Sequence, residues 1–212
     1  NVSDITMTIQ LSLNQGLKQN LAKLGNWAGR ADTLKLGVLA NEFEPQLHTH
    51  DAKGDRLDQV EFHPAWHALM RKGAENGLHN SIWLNSEEEK GVRNFARAVR
   101  VYIAAGVEMG HLCPLIMTNA SVAVLKQNPN LLEAWWPKVG SGKYDSTHRH
   151  FSKKGGVTIG MGMTERQGGS DVRTNTTRAE DKGGGAWRIN GQKWFFSAPM
   201  CDGFLVLAQT QA

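Results

Sequence analysis

Between Glu87 and Glu108 the apolar residues Phe95, Val99, Tyr102 or Ile103, and Val107 recur at helical spacing, with Arg93, Arg97 and Arg100 falling largely between them. That pattern predicts an amphipathic helix over 87–108. Pro64 suits the first turn of a helix running to about Lys72, because proline has no N–H to leave unpaired there. Pro114 opens another helix carrying Ile116, Ala120, Val124 and Leu125, and Pro129 ends it. Leu131 to Val139 reads as a short aromatic-rich helix or turn. Leu21 to Asn41 reads as a helix interrupted near Gly25 or Gly29, with Asp32-Thr33 as an N-cap for its second part. Residues 1–20 carry little pattern and read as a loosely packed entry segment. His48 to Asp58 is polar and turn-rich, a surface loop or hairpin.

After about residue 150 the period shortens. Gly156 to Met163 reads as a strand, and Val172 to Ala179 as extended chain rich in threonine. Asp181 to Gly185 is a charged, glycine-rich turn. Ala186–Ile189 and Gln192–Phe196 flank Asn190-Gly191, the sequence of a tight two-residue hairpin. Phe204 to Thr210 reads as a last strand. The expected class is α+β: an all-helical domain over 1–150, then the start of an antiparallel β-domain over 151–212. A strand so close to a chain end, with no partner after it, suggests the N-terminal part of something larger.

Composition narrows the setting. No apolar run reaches membrane-spanning length. Cys113 and Cys201 stand far apart in apolar contexts, which predicts two packed, reduced thiols and a cytoplasmic location. A net charge of +4 over 212 residues permits an anionic ligand but does not point to nucleic acid.

The densest candidate chemistry is Met161-Gly162-Met163-Thr164-Glu165-Arg166-Gln167-Gly168-Gly169-Ser170-Asp171. Glycines let backbone N–H groups approach a ligand, and Thr164 and Ser170 add hydroxyl donors. On those grounds alone it is an anion or cofactor loop, or a solvated turn. Asp171 is placed to fix the turn by Asx-type bonds.

The run resembles the Thr-Glu-x-x-Gly-Gly-Ser-Asp signature of the acyl-CoA dehydrogenase superfamily of FAD flavoproteins. Phe62–His67, Leu112-Cys113-Pro114 with Met117-Thr118, Asn175–Glu180 and Lys193–Ser197 are similar to its alkylation-response branch. The similarity runs from about residue 20 onward. It implies an enzyme that removes the α-proton of an acyl-CoA thioester and passes the β-hydrogen to flavin N5 as hydride. It places the catalytic glutamate in a C-terminal segment outside this chain, so no catalytic residue is expected here.

The same resemblance assigns FAD contacts to Met161, Gly162, Met163, Thr164, Gly168, Gly169, Ser170, Phe195, Phe196 and Ser197. Thr164, Ser170 and Ser197 are also placed near the acyl-CoA. An aromatic at 195–196 would lie over the flavin, with the Ser197 hydroxyl reaching the N5 edge. It further implies a homotetramer. The alternative is a flavin-containing protein that binds and protects double-stranded DNA, chiefly through the C-terminal region. Met117 and Thr118 are secondary candidates near the substrate cavity.

Other chemistries are poorly supported. His63 and His67 have i, i+4 spacing but no third ligand and no acid in the metalloprotease pattern, so no metal is expected. Ser170 lacks a nucleophile elbow. Gly155-Gly156 is not followed by a dinucleotide fingerprint.

Overall fold

The computed structural model describes residues 14–84 and 86–210. Most of the predicted entry segment, residues 1–13, and the last two residues lie outside that range. Helix α1 spans Gln15–Ala28 and starts before the segment where a helix was expected, because the Asn14 side chain caps it by accepting from Leu17 N–H at 2.9 Å. The expected interruption falls at Gly29-Arg30, and α2 (Ala31–Glu42) follows. Its N-cap is Arg30, not Asp32-Thr33. Asp32 sits in the first turn, pairing with Arg30 at 2.5 Å.

Strands β1 (Gln46–His50) and β2 (Arg56–Glu61) form the hairpin foreseen at 48–58, so the helical part carries one small antiparallel sheet. Pro64 opens α3 (Pro64–Glu75), capped by His63 Nδ1, which accepts from Ala65 N–H at 3.1 Å. The helix predicted over 87–108 is shorter. Glu87–Glu89 form a single 3-10 turn, Gly91 adopts φ +79°, and α4 runs from Arg93 to Ala105. Its period was legible, but the break needed a left-handed glycine.

Helix α5 (Leu112–Leu125) starts two residues before Pro114. Pro129 does not close it but opens α6 (Pro129–Val139), whose N-cap Asn128 accepts from Leu131 N–H at 3.2 Å. Helix α5 organises the molecule. Its first half puts Leu112 and Leu115 into a core with Trp66, Met70, Leu78 and Ala104. Its second half puts Val122 and Leu125 into another with Val139, Val157 and Ile159. Each fully buried leucine or valine is worth about 1.5–3 kcal/mol of burial, so one helix ties the helical part to the first strand of the β-part.

Strand β3 (Ile159–Gly162) pairs parallel with β6 (Gly203–Val206). Strand β4 (Arg178–Asp181) pairs antiparallel with β5 (Trp187–Asn190) and parallel with β7 (Gln209–Thr210). The antiparallel expectation therefore holds for β4–β5 only. The long chain between β3 and β6 allows the crossover that a parallel pair requires.

The Asn190-Gly191 hairpin is also corrected. Trp187–Asn190 pairs backwards with β4, and the turn is the glycine-rich Asp181–Ala186 segment, where Gly183, Gly184 and Gly185 all have positive φ. Gly191 serves packing instead: a Cβ there would lie 2.2 Å from Thr177 Oγ1.

Candidate functional site

Strand β3 is fixed from below by α5. Thr118 Oγ1 accepts from Ile159 N–H at 2.9 Å and is fully buried. The secondary candidate Thr118 thus joins helix to strand, and Met117 is half-buried. Above β3 runs the segment Lys193–Ala198. It is not the strand that was expected, because Phe195 takes φ +54°.

Two glycines allow this segment to lie on β3. A Cβ on Gly160 would be 3.3 Å from Ala198 O and 2.8 Å from the Phe204 ring. A Cβ on Gly162 would be 2.4 Å from the Phe196 ring and 3.2 Å from Lys193 Cγ. Phe196 also meets Phe204 edge-on, centroids 4.8 Å apart.

The structure brings Gly162 against Phe196 and Thr164 against Trp194, so the end of β3 and the 193–198 segment are neighbours. Trp194 N–H donates to Thr164 O at 2.9 Å, and Asn175 Nδ2 donates to Met163 O at 2.9 Å. Gly169 folds back on Thr164, and a Cβ there would lie 2.7 Å from its hydroxyl oxygen. The left-handed residue of the loop is Gly168, with φ +140°. Ser170 is exposed. Asp171 accepts from Arg173 N–H at 3.2 Å, the expected Asx-type turn. Ser197 is exposed and its hydroxyl donates to Phe195 O at 3.3 Å.

Large apolar side chains stand uncovered here. Phe195 is 80% exposed, Trp194 44% and Met163 36%. The Trp194 and Phe195 rings meet edge to face, centroids 6.0 Å apart, so apolar surface lies uncovered next to the Thr164 backbone.

Sequence reasoning passed over Glu165. It is 2% exposed. Its carboxylate accepts five hydrogen bonds: Thr176 N–H at 2.6 Å, Thr176 Oγ1 at 2.9 Å, Thr177 N–H at 3.0 Å, Thr177 Oγ1 at 2.5 Å and Lys193 Nζ at 2.9 Å. Burial opposes its charge, but the Lys193 ammonium, the Thr177 hydroxyl and the two N–H groups outweigh it. They hold the carboxyl well below the usual carboxylate range. The available signal was Thr176-Thr177 and Lys193 as donors, but these lie far along the chain from Glu165.

Among the described residues no group of histidine, cysteine and acidic side chains could hold a metal. His67 Nδ1 instead shares a hydrogen bond of 2.8 Å with Tyr144 Oη. Cys201 is buried and its thiol is pushed up to about 12, chiefly by desolvation, whereas Cys113 is exposed, against the expectation of two packed thiols. Among the described residues no helix is long and apolar enough to cross a membrane.

Residues 4–146 match the family described as Adaptive response protein AidB N-terminal domain, and residues 160–212 match Acyl-CoA dehydrogenase, middle domain. AidB of Escherichia coli strain K12 is 48% identical over 191 residues, covering 90% of this chain and 35% of that protein. Acyl-CoA dehydrogenase family member 11 of Caenorhabditis elegans is 31% identical over 175 residues, covering 82% of this chain and 28% of that protein. The chain therefore spans about a third of these curated relatives. Among solved structures, Bd2924 in its apo form superposes with a TM-score of 0.76 at 24% identity, over 93% of this chain and 39% of that one. Caenorhabditis elegans ACDH-11 in complex with C11-CoA superposes with a TM-score of 0.73 at 25% identity, over 89% of this chain and 32% of that one.

Proposed function

The chain belongs to the AidB branch of the acyl-CoA dehydrogenase family, and from that membership we propose that it forms one wall of an FAD site in a flavoprotein acting on an acyl-CoA thioester. The observation that carries this reading is the uncovered group Met163, Trp194 and Phe195 beside the hydroxyls of Thr164 and Ser197. The residues suit the group: apolar faces for a ring, and hydroxyls and backbone N–H groups for its polar edge.

FAD, when bound, supplies the hydride-accepting chemistry that no side chain provides. The chain's own residues bind and orient. Phe195 and Met163 offer the apolar face. Thr164 and Ser197 would offer hydroxyl donors at its margin, Ser197 by releasing Phe195 O, and such bonds would favour a reduced, more electron-rich ring. Gly168 and Gly169 leave two adjacent positions of the loop without side chains, and Ser170 would serve a phosphate or the acyl-CoA. The base that removes the α-proton belongs to another segment.

The acyl-CoA class of ligand is supported by the ACDH-11 structure, which holds C11-CoA. A homotetramer and a cytoplasmic setting belong to the same proposal. The DNA-protecting alternative draws no support from this chain, whose net charge of +4 over 212 residues provides little electrostatic attraction for a polyanion; the resemblance puts its DNA surface chiefly in the C-terminal region.

The visible spectrum of the purified full-length protein tests the reading. Flavin absorbance, present on purification or after adding FAD, and bleached by an acyl-CoA, is the expected result. Colourless protein that takes up no FAD overturns it.

A further inference from the structure

We infer that Glu165 is a positioning residue: through Lys193 it clamps the loop after β3 to the segment that presents Phe195 and Ser197. The inference rests on the proposed flavin reading but concerns a residue that touches no ligand.

The geometry isolates Glu165 at a three-way junction. Its backbone belongs to the loop, where its N–H and carbonyl form a small bridge with Gly168 (3.3 and 3.0 Å). Its Oε1 takes Lys193 Nζ at 2.9 Å and both the N–H and hydroxyl of Thr177. Its Oε2 takes Thr176. The Lys193 side chain is 8% exposed and the Glu165 side chain 2%. An ion pair so enclosed has no water to replace either partner, so loss of one leaves the other charge stranded. Its effect is therefore structural reach, not surface charge.

That reach ends at the exposed aromatic. Lys193 is pinned by Glu165, and Trp194 N–H by Thr164 O at 2.9 Å. On the other side Ala198 is fully buried, and its carbonyl accepts Cys201 N–H at 3.1 Å. Between these anchors stand Phe195, with φ +54°, and the exposed Ser197. A phenylalanine adopts a left-handed backbone only where its flanks over-determine it. With the Glu165 anchor gone, the strained residue is free to return to an extended conformation, and the aromatic face and the hydroxyl move together.

The test uses the full-length protein with Glu165→Gln, Lys193→Met and the double variant. Glutamine keeps the shape but turns an acceptor into a donor facing Thr177 and Lys193. FAD itself is the titrant, and amide exchange at Trp194 and Thr177 is followed without FAD. Expected are an at least tenfold loss of FAD affinity in each single variant, a double variant no worse than the weaker single, and faster exchange at both amides with β3–β6 unchanged. Fully additive losses, or wild-type affinity in Glu165→Gln, overturn the inference. If wild-type protein takes up no FAD, the flavin reading is what fails. Amide exchange still decides the clamp, and unchanged exchange at Trp194 in Glu165→Gln overturns it.

Discussion

Lys154 Nζ and Asp202 Oδ1 lie 2.5 Å apart, and both side chains are less than a tenth exposed. The pair joins the end of the helical part to the entrance of β6. Asp202 is further engaged, since its backbone N–H donates to Thr158 O at 3.0 Å and its Oδ2 accepts Thr158 N–H at 2.9 Å. Lys154→Met leaves a buried carboxylate without its cation, which costs about 3–5 kcal/mol. Chemical denaturation should show that loss. A second substitution, Asp202→Leu, should restore much of it, because an apolar pair removes the stranded charge. A loss under about 1 kcal/mol would mean that water reaches the pair.

Acid should remove a stabilising contribution of Glu108. Burial disfavours its charge, but His111 and the N–H groups of His111 and Gly110 outweigh burial and hold its carboxyl at about 2. The folded value lies below the unfolded one, so the stabilisation is present above about 4.5 and is lost as pH falls towards 2. The urea midpoint should drop between pH 5 and pH 2.5. Glu108→Gln should be less stable at pH 7 and show a flatter profile across that window. An unchanged slope would remove Glu108 as its source.

The elements legible in the sequence were those fixed by local rules. Pro64 marked α3, and the period of Phe95 and Val99 marked α4. The start of α4 was missed because it depends on a positive φ at the adjacent Gly91. The other features missed depend on distant partners. Gly191 next to Asn190 has the local chemistry of a hairpin, yet its lack of a Cβ accommodates Thr177. The candidate loop was visible because its glycines and hydroxyls are contiguous. Glu165 was not, because its donors come from 176–177 and 193 and no spacing rule links them.

Gly162 should tolerate no side chain. A Cβ would lie 2.4 Å from the Phe196 ring, and overpacking of this kind costs about 1–3 kcal/mol. Gly162→Ala should lower stability by that amount and weaken FAD binding in the full-length protein. Phe196→Leu, added to Gly162→Ala, should return part of the stability by opening the space above β3. Failure of the second substitution to help would show that the alanine acts on the backbone instead.

Phe195 separates stability from function most sharply. It is 80% exposed, so it contributes little burial, and its φ of +54° is costly for any residue but glycine. Releasing a left-handed phenylalanine is worth about 1–2 kcal/mol, against about 0.5–1 kcal/mol for the extra freedom of glycine in the unfolded chain. Phe195→Gly should therefore leave the protein equally stable or more stable by up to about 1.5 kcal/mol. The same change removes the apolar face offered to the ring, so FAD affinity should fall by at least tenfold. Denaturation and FAD titration on one preparation decide it. Lower stability with unchanged affinity would make Phe195 an ordinary packing residue. Unchanged stability with lower affinity would show that the strain at this position is kept for the ligand.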